Sequence, residues 1–114
     1  MDSQRFVDAL RVVVRDGAIS EELNVLKKPP GRQPPENLKE NSAWYNALDD
    51  EQKRILSVVL HDVVDRAVFG ILCVLDGVRA IENDGDKGRL ELHYVKNGSV
   101  LLNSPEGELL HELW

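Results

Sequence analysis

The sequence has few of the side chains that carry covalent or metal chemistry. Cys73 is the only cysteine among 114 residues, so no disulfide bond can form within the chain. It stands between Leu72 and Val74, an apolar setting that predicts a buried thiol of low reactivity. The three histidines do not have the spacing of a metal-ligand set. We therefore expect no metal site and no cofactor.

Motifs for nucleotide binding and for hydrolysis are absent as well. The chain contains no GxGxxG, no phosphate loop and no GxSxG. Residues 83–88 are rich in Asn, Asp and Gly, but Lys87 stands where a calcium loop needs glycine and His93 where it needs glutamate. The sequence therefore favours a protein that is not an enzyme.

Positive charge and long apolar runs are also scarce. From Glu40 onward there are seven Lys or Arg residues against fourteen Asp or Glu residues, and the whole chain has a net charge of -6. This acidity disfavours nucleic acid and favours a basic protein surface as partner. No apolar run is long enough to cross a membrane, and Met1 is followed by Asp2 and Arg5 rather than by an apolar signal segment. We expect a cytoplasmic protein without a membrane partner.

The first part of the chain has the periodicity of an amphipathic helix over residues 3–16. Gly17 is suited to cap its end, and Ser20 to begin a short second helix. The residues predicted to face inward are Phe6, Val7, Leu10, Val13 and Val14, with Arg5, Asp8, Arg11 and Arg15 largely opposite.

A proline-rich connecting loop is predicted at residues 27–37, where Pro29-Pro30 and Pro34-Pro35 remove backbone donors. Trp44 and Leu48 lie four residues apart and suggest a short helix over residues 42–48. Length and globular composition predict one domain, residues 1–114.

Residues 49–77 predict a long central helix. Asp49 and Gln52 have the spacing of a capping box, and Asp76-Gly77 ends the run. After Arg66 the polar sector is taken over by apolar residues, so we expect the second half to be covered on all sides, with Gly70 permitting a close approach. The residues predicted to fill the broad apolar sector are Leu56, Val59, Leu60, Val63, Val64, Ala67, Val68, Ile71, Val74 and Leu75.

After this helix the periodicity changes to two, and Asn97-Gly98 is typical of a type I′ hairpin turn. A two-residue turn would place Val95 opposite Val100. Residues 78–82 would supply a third strand, and Ser104-Pro105 has the composition of a helix start. The predicted fold class is α+β, mainly α: a long central helix with N-terminal and C-terminal helices and a small antiparallel β-hairpin or three-stranded sheet.

One polar cluster lies on the long helix, where His61 can meet Asp65 and Asp62 can meet Arg66 at a spacing of four residues. A histidine beside two carboxylates suits a general base or a metal ligand, and a small enzyme or ligand-binding site would form around His61, Asp65 and His93. The non-functional interpretation is a solvated helix face with ordinary ion pairs, because the amphipathic pattern already requires polar residues there.

Two segments carry a resemblance: residues 69–82, FGILCVLDGVRAIE, and residues 101–113, LLNSPEGELLHEL. They resemble a group of small uncharacterised acidic bacterial proteins, and the chain is similar in style to immunity proteins encoded beside secreted toxins. The resemblance rests on packing residues. It implies a bacterial cytoplasmic setting and an inhibitory binding role, and it assigns no functional residue.

Two further functional hypotheses follow from charge and from apolar surface. The leading one is a non-enzymatic binding protein that engages a basic protein partner. The alternative is self-association, including a homodimer, through Trp114, Leu110 and the exposed edge of the hairpin. The candidate partner contacts of the leading hypothesis are Asp62, Asp65, Asp84, Asp86 and Glu91.

Overall fold

The computed structural model describes residues 1–114 and confirms the predicted fold class, mainly α with a long central helix. The small sheet is a two-stranded antiparallel hairpin, and residues 78–82 form no third strand. The elements in chain order are α1 (Ser3–Leu10), a π-helical segment (Arg11–Asp16), α2 (Gly17–Lys27), α3 (Glu36–Asn46), α4 (Asp50–Leu75), β1 (His93–Val95), β2 (Ser99–Leu101) and α5 (Leu110–Leu113).

The first three elements form one continuous helix, so the predicted break at Gly17 is wrong. Gly17 has helical dihedral angles, φ -60° and ψ -49°. The wider π turn takes in one extra residue and rotates the side chains that follow it. The line of side chains that faces the core, which we call the inner line, therefore passes through every fourth residue. Its members are Val7, Arg11, Arg15 and Ile19.

The same rotation overturns the predicted positions of the valines and arginines of this helix. Val13, expected inside, has 74% of its surface exposed, and Val14 is also exposed. Arg11 and Arg15, expected outside, have only 27% of their side chains exposed. Two cations thus occupy the inner side of the first helix.

Helix α4 begins as the sequence predicts and ends with Asp76 and Gly77, which has φ +76°. Asp49 accepts a hydrogen bond from the Gln52 amide, and the Gln52 side chain accepts one from the Asp49 amide. Gly70 permits a close approach, because a Cβ there would lie 2.6 Å from the Arg79 guanidinium. These two hydrogen bonds satisfy backbone amides that would otherwise have no partner at the N-terminus, and so they give the helix a defined start.

The prediction that the second half of α4 is covered on all sides is wrong. Leu72 and Cys73 are buried, but Phe69 and Ile71 are exposed. The reason is that α1, α5 and the loop after α4 cover only part of its circumference.

Helix α3 starts at Glu36 and is longer than the predicted helix at residues 42–48. The connecting loop matches the proline-rich segment, since α2 ends at Lys27. Tyr45 is buried, and the Asn46 side chain donates to the Lys27 carbonyl at 3.1 Å. Helix α3 is thereby fastened to the end of α2.

The hairpin register differs by one residue from the two-residue turn considered above. Val95 lies opposite Ser99, and Val100 lies opposite Tyr94. Asn97 and Gly98 have φ values of +52° and +138°. The loop has three residues because Lys96 leaves the ladder, and a shift by one residue changes every cross-strand pair.

The predicted helix start at Ser104-Pro105 is a single turn instead, closed by the Gly107 amide on the Ser104 carbonyl at 3.1 Å. Helix α5 begins later, at Leu110. The main core lies where α1, α4 and α5 meet, and its buried members are Val7, Val68, Leu72 and Leu110. None of the helices combines the length and apolar character that crossing a membrane requires.

Candidate functional site

The three residues of the hypothetical enzyme site are not brought together. His61 Nδ1 lies 2.8 Å from a carbonyl of its own helical turn, and His93 Nε2 lies 3.0 Å from Glu91 within the hairpin region. Asp65 lies 3.5 Å from Arg15 of the first helix. No group of three or more His, Cys, Asp and Glu side chains is placed to hold a metal ion. The structure offers no common pocket for this chemistry.

Asp65 and Arg15 line a shallow cavity of about 310 Å³ together with Arg66, Phe69 and Trp114. The hydrogen bond from Arg15 to Asp16 raises the pKa of the guanidinium, and the charge of Asp65 acts in the same direction. Arg15 therefore stays charged at all physiological pH values, and Asp65 serves to hold it against α4.

The cation pair on the inner line of the first helix holds Trp114. The Arg11 and Arg15 guanidinium groups lie 5.4 Å and 5.7 Å from the Trp114 ring centroid. Arg11 also donates to the Trp114 carbonyl at 2.6 Å, and Leu110 is fully buried. Leu110 is therefore not exposed for self-association and Trp114 contacts its own chain, while self-association itself stays a prediction.

The candidate acidic contacts lie in two separate places. Asp62 projects from the middle of α4, whereas Asp84 and Asp86 lie in the loop beyond its end, and all three are exposed without an intrachain ion pair. The helix from Asp62 to Asp76 spans about 21 Å. These acids therefore do not form one continuous patch.

Glu91 is the candidate contact whose charge is most clearly set by its neighbours. A hydrogen bond with His93 lowers the pKa of Glu91, and the charge of Arg89 lowers it further. Both Glu91 and His93 are exposed, so the pair is a surface interaction of small energy.

A second cavity, about 530 Å³, lies at the C-terminal end of α4 beneath the loop that follows it. Arg79, Lys87 and Arg89 line it and make no ion pair within 4.0 Å. The end of a helix carries partial negative charge from its free carbonyls. Asp76 and Glu82 also line the cavity, so two carboxylates and the helix end together offset most of the charge of the three cations.

Asn103 is the structural residue that sequence reasoning missed. It is buried, its amide nitrogen donates to the Leu75 carbonyl at 2.6 Å and the Leu90 carbonyl at 2.9 Å, and its oxygen accepts from the Leu92 amide at 2.8 Å. Its only sequence signal is a polar residue directly after the apolar pair Leu101-Leu102. Asn103 ties the long loop and the hairpin to the end of α4.

The strongest candidate for function is an apolar surface on the N-terminal half of α4, which we call the outer face. The sequence predicts that Val59 and Val63 lie on the core side of α4. In the structure, Leu60, Val64 and Val68 lie on that side. The apolar sector is wider than one neighbouring helix can cover. The outer face consists of Ile55, Val58, Val59 and Val63, with 49%, 49%, 49% and 58% of their surfaces exposed.

The shape of the molecule explains why the outer face is open. The Cα radius of gyration is 18.6 Å, whereas a chain of this length packs to about 13 Å in an ordinary single domain. Only 12 of 114 residues are buried. The chain thus leaves apolar surface for contact with another molecule.

Comparison of the chain with protein-family models, with curated proteins and with solved structures found no match. The resemblance to immunity proteins therefore remains a prediction.

Proposed function

We propose that this chain is a non-enzymatic binding protein and that its docking surface for a protein partner is the outer face of α4. The observation that supports it most directly is the exposure of Ile55, Val58, Val59 and Val63 over little more than two turns of one helix. Single exposed apolar side chains are ordinary in monomers, but a contiguous set on a rigid helix is typical of interaction surfaces.

Burial of the outer face would supply binding energy. Removing a large aliphatic side chain from water contributes about 1.5 to 3 kcal/mol when burial is complete, and these side chains are about half buried already. β-Branched side chains on a helix also lose little rotamer freedom on docking, since they are stiff in the free protein. The helix is therefore a preorganised ligand for an apolar surface.

The partner's charge is suggested by the acidity of the chain. The net charge is -6, and Asp62 lies beside the outer face without an ion pair of its own. Asp84 and Asp86 are further exposed acids beyond the end of α4. An immunity-type inhibitor of a basic protein, acting in the bacterial cytoplasm, is the form of the proposal that combines these charges with the resemblance noted above.

Self-association is the second candidate function, and the same apolar face supports it in place of Trp114 and Leu110. The hairpin edge is short, three residues in each strand, and offers little backbone for pairing. The outer face is the larger surface. An enzyme around His61, Asp65 and His93 has no comparable support, because these residues contact separate parts of the chain.

Isothermal titration calorimetry against the purified product of the adjacent gene tests the proposal. We expect Val59→Asp to weaken binding at least tenfold, because a buried charge would face the partner. Val13→Asp is the matched control, since Val13 is an exposed valine on another helix. Asp62→Lys should weaken binding and reduce its salt dependence. Equal affinities for the wild-type protein and Val59→Asp would refute the outer face as the docking surface.

A further inference from the structure

We propose that the outer face is occupied by a second copy of this chain, bound antiparallel about a two-fold axis that passes near Val58 and Val59. This inference rests on the proposed function and names the partner for that surface. A basic protein partner would compete with the second copy for this face, so the dimer is the form of the protein without that partner.

The exposed area of the chain is suited to a permanent dimer. The accessible surface is 8153 Å², whereas a folded monomer of 12.8 kDa has about 6,300 Å². The difference is roughly 1,900 Å², and a stable interface removes about 800 Å² or more from each partner. The surplus is spread over the whole chain and exceeds the area that one stable interface removes from each partner, and the outer face supplies part of it.

The apolar residues of the outer face have a pattern that is complementary to itself. Ile55 and Val63 lie four residues before and after Val59. In an antiparallel pair centred there, Ile55 of one copy meets Val63 of the other, and the two Val59 side chains meet at the axis. A two-fold interface requires this reciprocal arrangement.

The charges beside the outer face are arranged approximately symmetrically about the same centre. Glu51 and Arg66 lie eight and seven residues from Val59 on opposite sides, and Arg54 and Asp62 lie five and three residues from it. Glu51 and Arg54 pair with each other within their own chain at 2.7 Å, and reversing the helix about Val59 brings this pair of one copy near Arg66 and Asp62 of the other. Opposite charges at these positions favour antiparallel pairing.

Asp62 and Arg66 distinguish a second copy from an unrelated basic partner. They are exposed on the same side of α4 as the apolar residues, and neither makes an ion pair within its own chain. A basic partner would satisfy Asp62 and repel Arg66. A second copy supplies an acid and a base together, because Glu51 and Arg54 come with it.

Disulfide cross-linking tests the antiparallel arrangement. In Val59→Cys the two introduced thiols meet at the axis, so mild oxidation should give a covalent dimer in high yield. Ile55→Cys is the control, because its two thiols would lie about 12 Å apart along the helices and should not cross-link. The native Cys73 is buried, and the oxidised wild-type protein should stay uncross-linked. Equal cross-linking of the two variants, or none, would overturn the arrangement.

Charge reversal supplies a test that does not depend on cross-linking. Glu51→Arg and Arg66→Glu should each weaken the dimer about threefold to tenfold in sedimentation equilibrium, and the double variant should recover most of the loss. No recovery in the double variant would contradict the proposed pairing.

A monomeric wild-type protein at tens of micromolar would overturn the dimer while leaving the proposed function testable. In that case, loss of binding to the adjacent gene product in Val59→Asp would retain the outer face as a docking surface. Unchanged binding would reject both proposals.

Discussion

Individual buried polar side chains fix the C-terminal end of α4. Asn103 satisfies three backbone groups, and the fully buried Asp76 carboxylate accepts from the His111 amide and from His111 Nδ1, both at 2.8 Å. Sequence reasoning does not find Asn103, because its partners are backbone groups of segments that are distant in sequence. Asp76 was expected only to end the helix, and the structure shows that it also anchors α5.

Asn103→Ala should destabilise the fold by about 3 kcal/mol, because two carbonyl groups and one amide would lose their partner in a buried place. The free energy of unfolding in urea measures the effect. Asn37→Ala is the control, since Asn37 is exposed on α3 and makes no side-chain hydrogen bond. Equal stabilities for the two variants would show that the Asn103 contacts contribute little.

His93→Ala should raise the pKa of Glu91 toward its ordinary value, because His93 is the main cause of the lowering. The lowered pKa means that Glu91 adds to stability above its unfolded pKa, and that this contribution is lost as pH falls through the folded value. A titration of the Glu91 carboxyl carbon by NMR measures the shift. His61→Ala is the control, and an unchanged Glu91 titration in His93→Ala would contradict the assignment.

Among the secondary-structure elements, features set by neighbouring residues can be predicted from the sequence. The side chains that each element turns toward distant parts of the chain cannot. The capping box of Asp49 and Gln52 lies within four residues, so the start of α4 is readable in the sequence. The π-helical segment is set by packing of the first helix against α4 and Trp114, which no local pattern reveals. The hairpin register likewise depended on one loop residue, Lys96.

Deletion of Val13 tests whether the π-helical segment accommodates one extra residue in the first helix. Removing one residue should convert the segment to an α-helix and keep Val7 and Ile19 on the same inner side. We expect the midpoint of thermal unfolding to change by less than about 5 °C. Deletion of His61 is the control, because it rotates Val64 and Val68 away from the core and should abolish cooperative unfolding. Similar losses in both deletions would contradict the account.

At the level of the whole molecule, the composition predicted one domain with a substantial core, but the chain alone buries only 12 residues. The sequence did reveal that α4 has an unusually broad apolar sector. It did not reveal which part faces the core, because that depends on the positions of the first helix and α5. The part of this apolar sector that no other element covers is the outer face, which is the docking surface of the proposed function.

The mass of the wild-type protein in solution tests the central claim most directly. Light scattering coupled to size exclusion at tens of micromolar should give twice the chain mass of 12.8 kDa. Val59→Asp should give the monomer mass with an unchanged far-ultraviolet circular dichroism spectrum, and Val13→Asp should remain dimeric. A wild-type mass of one chain would contradict the dimer that we propose for the outer face of α4.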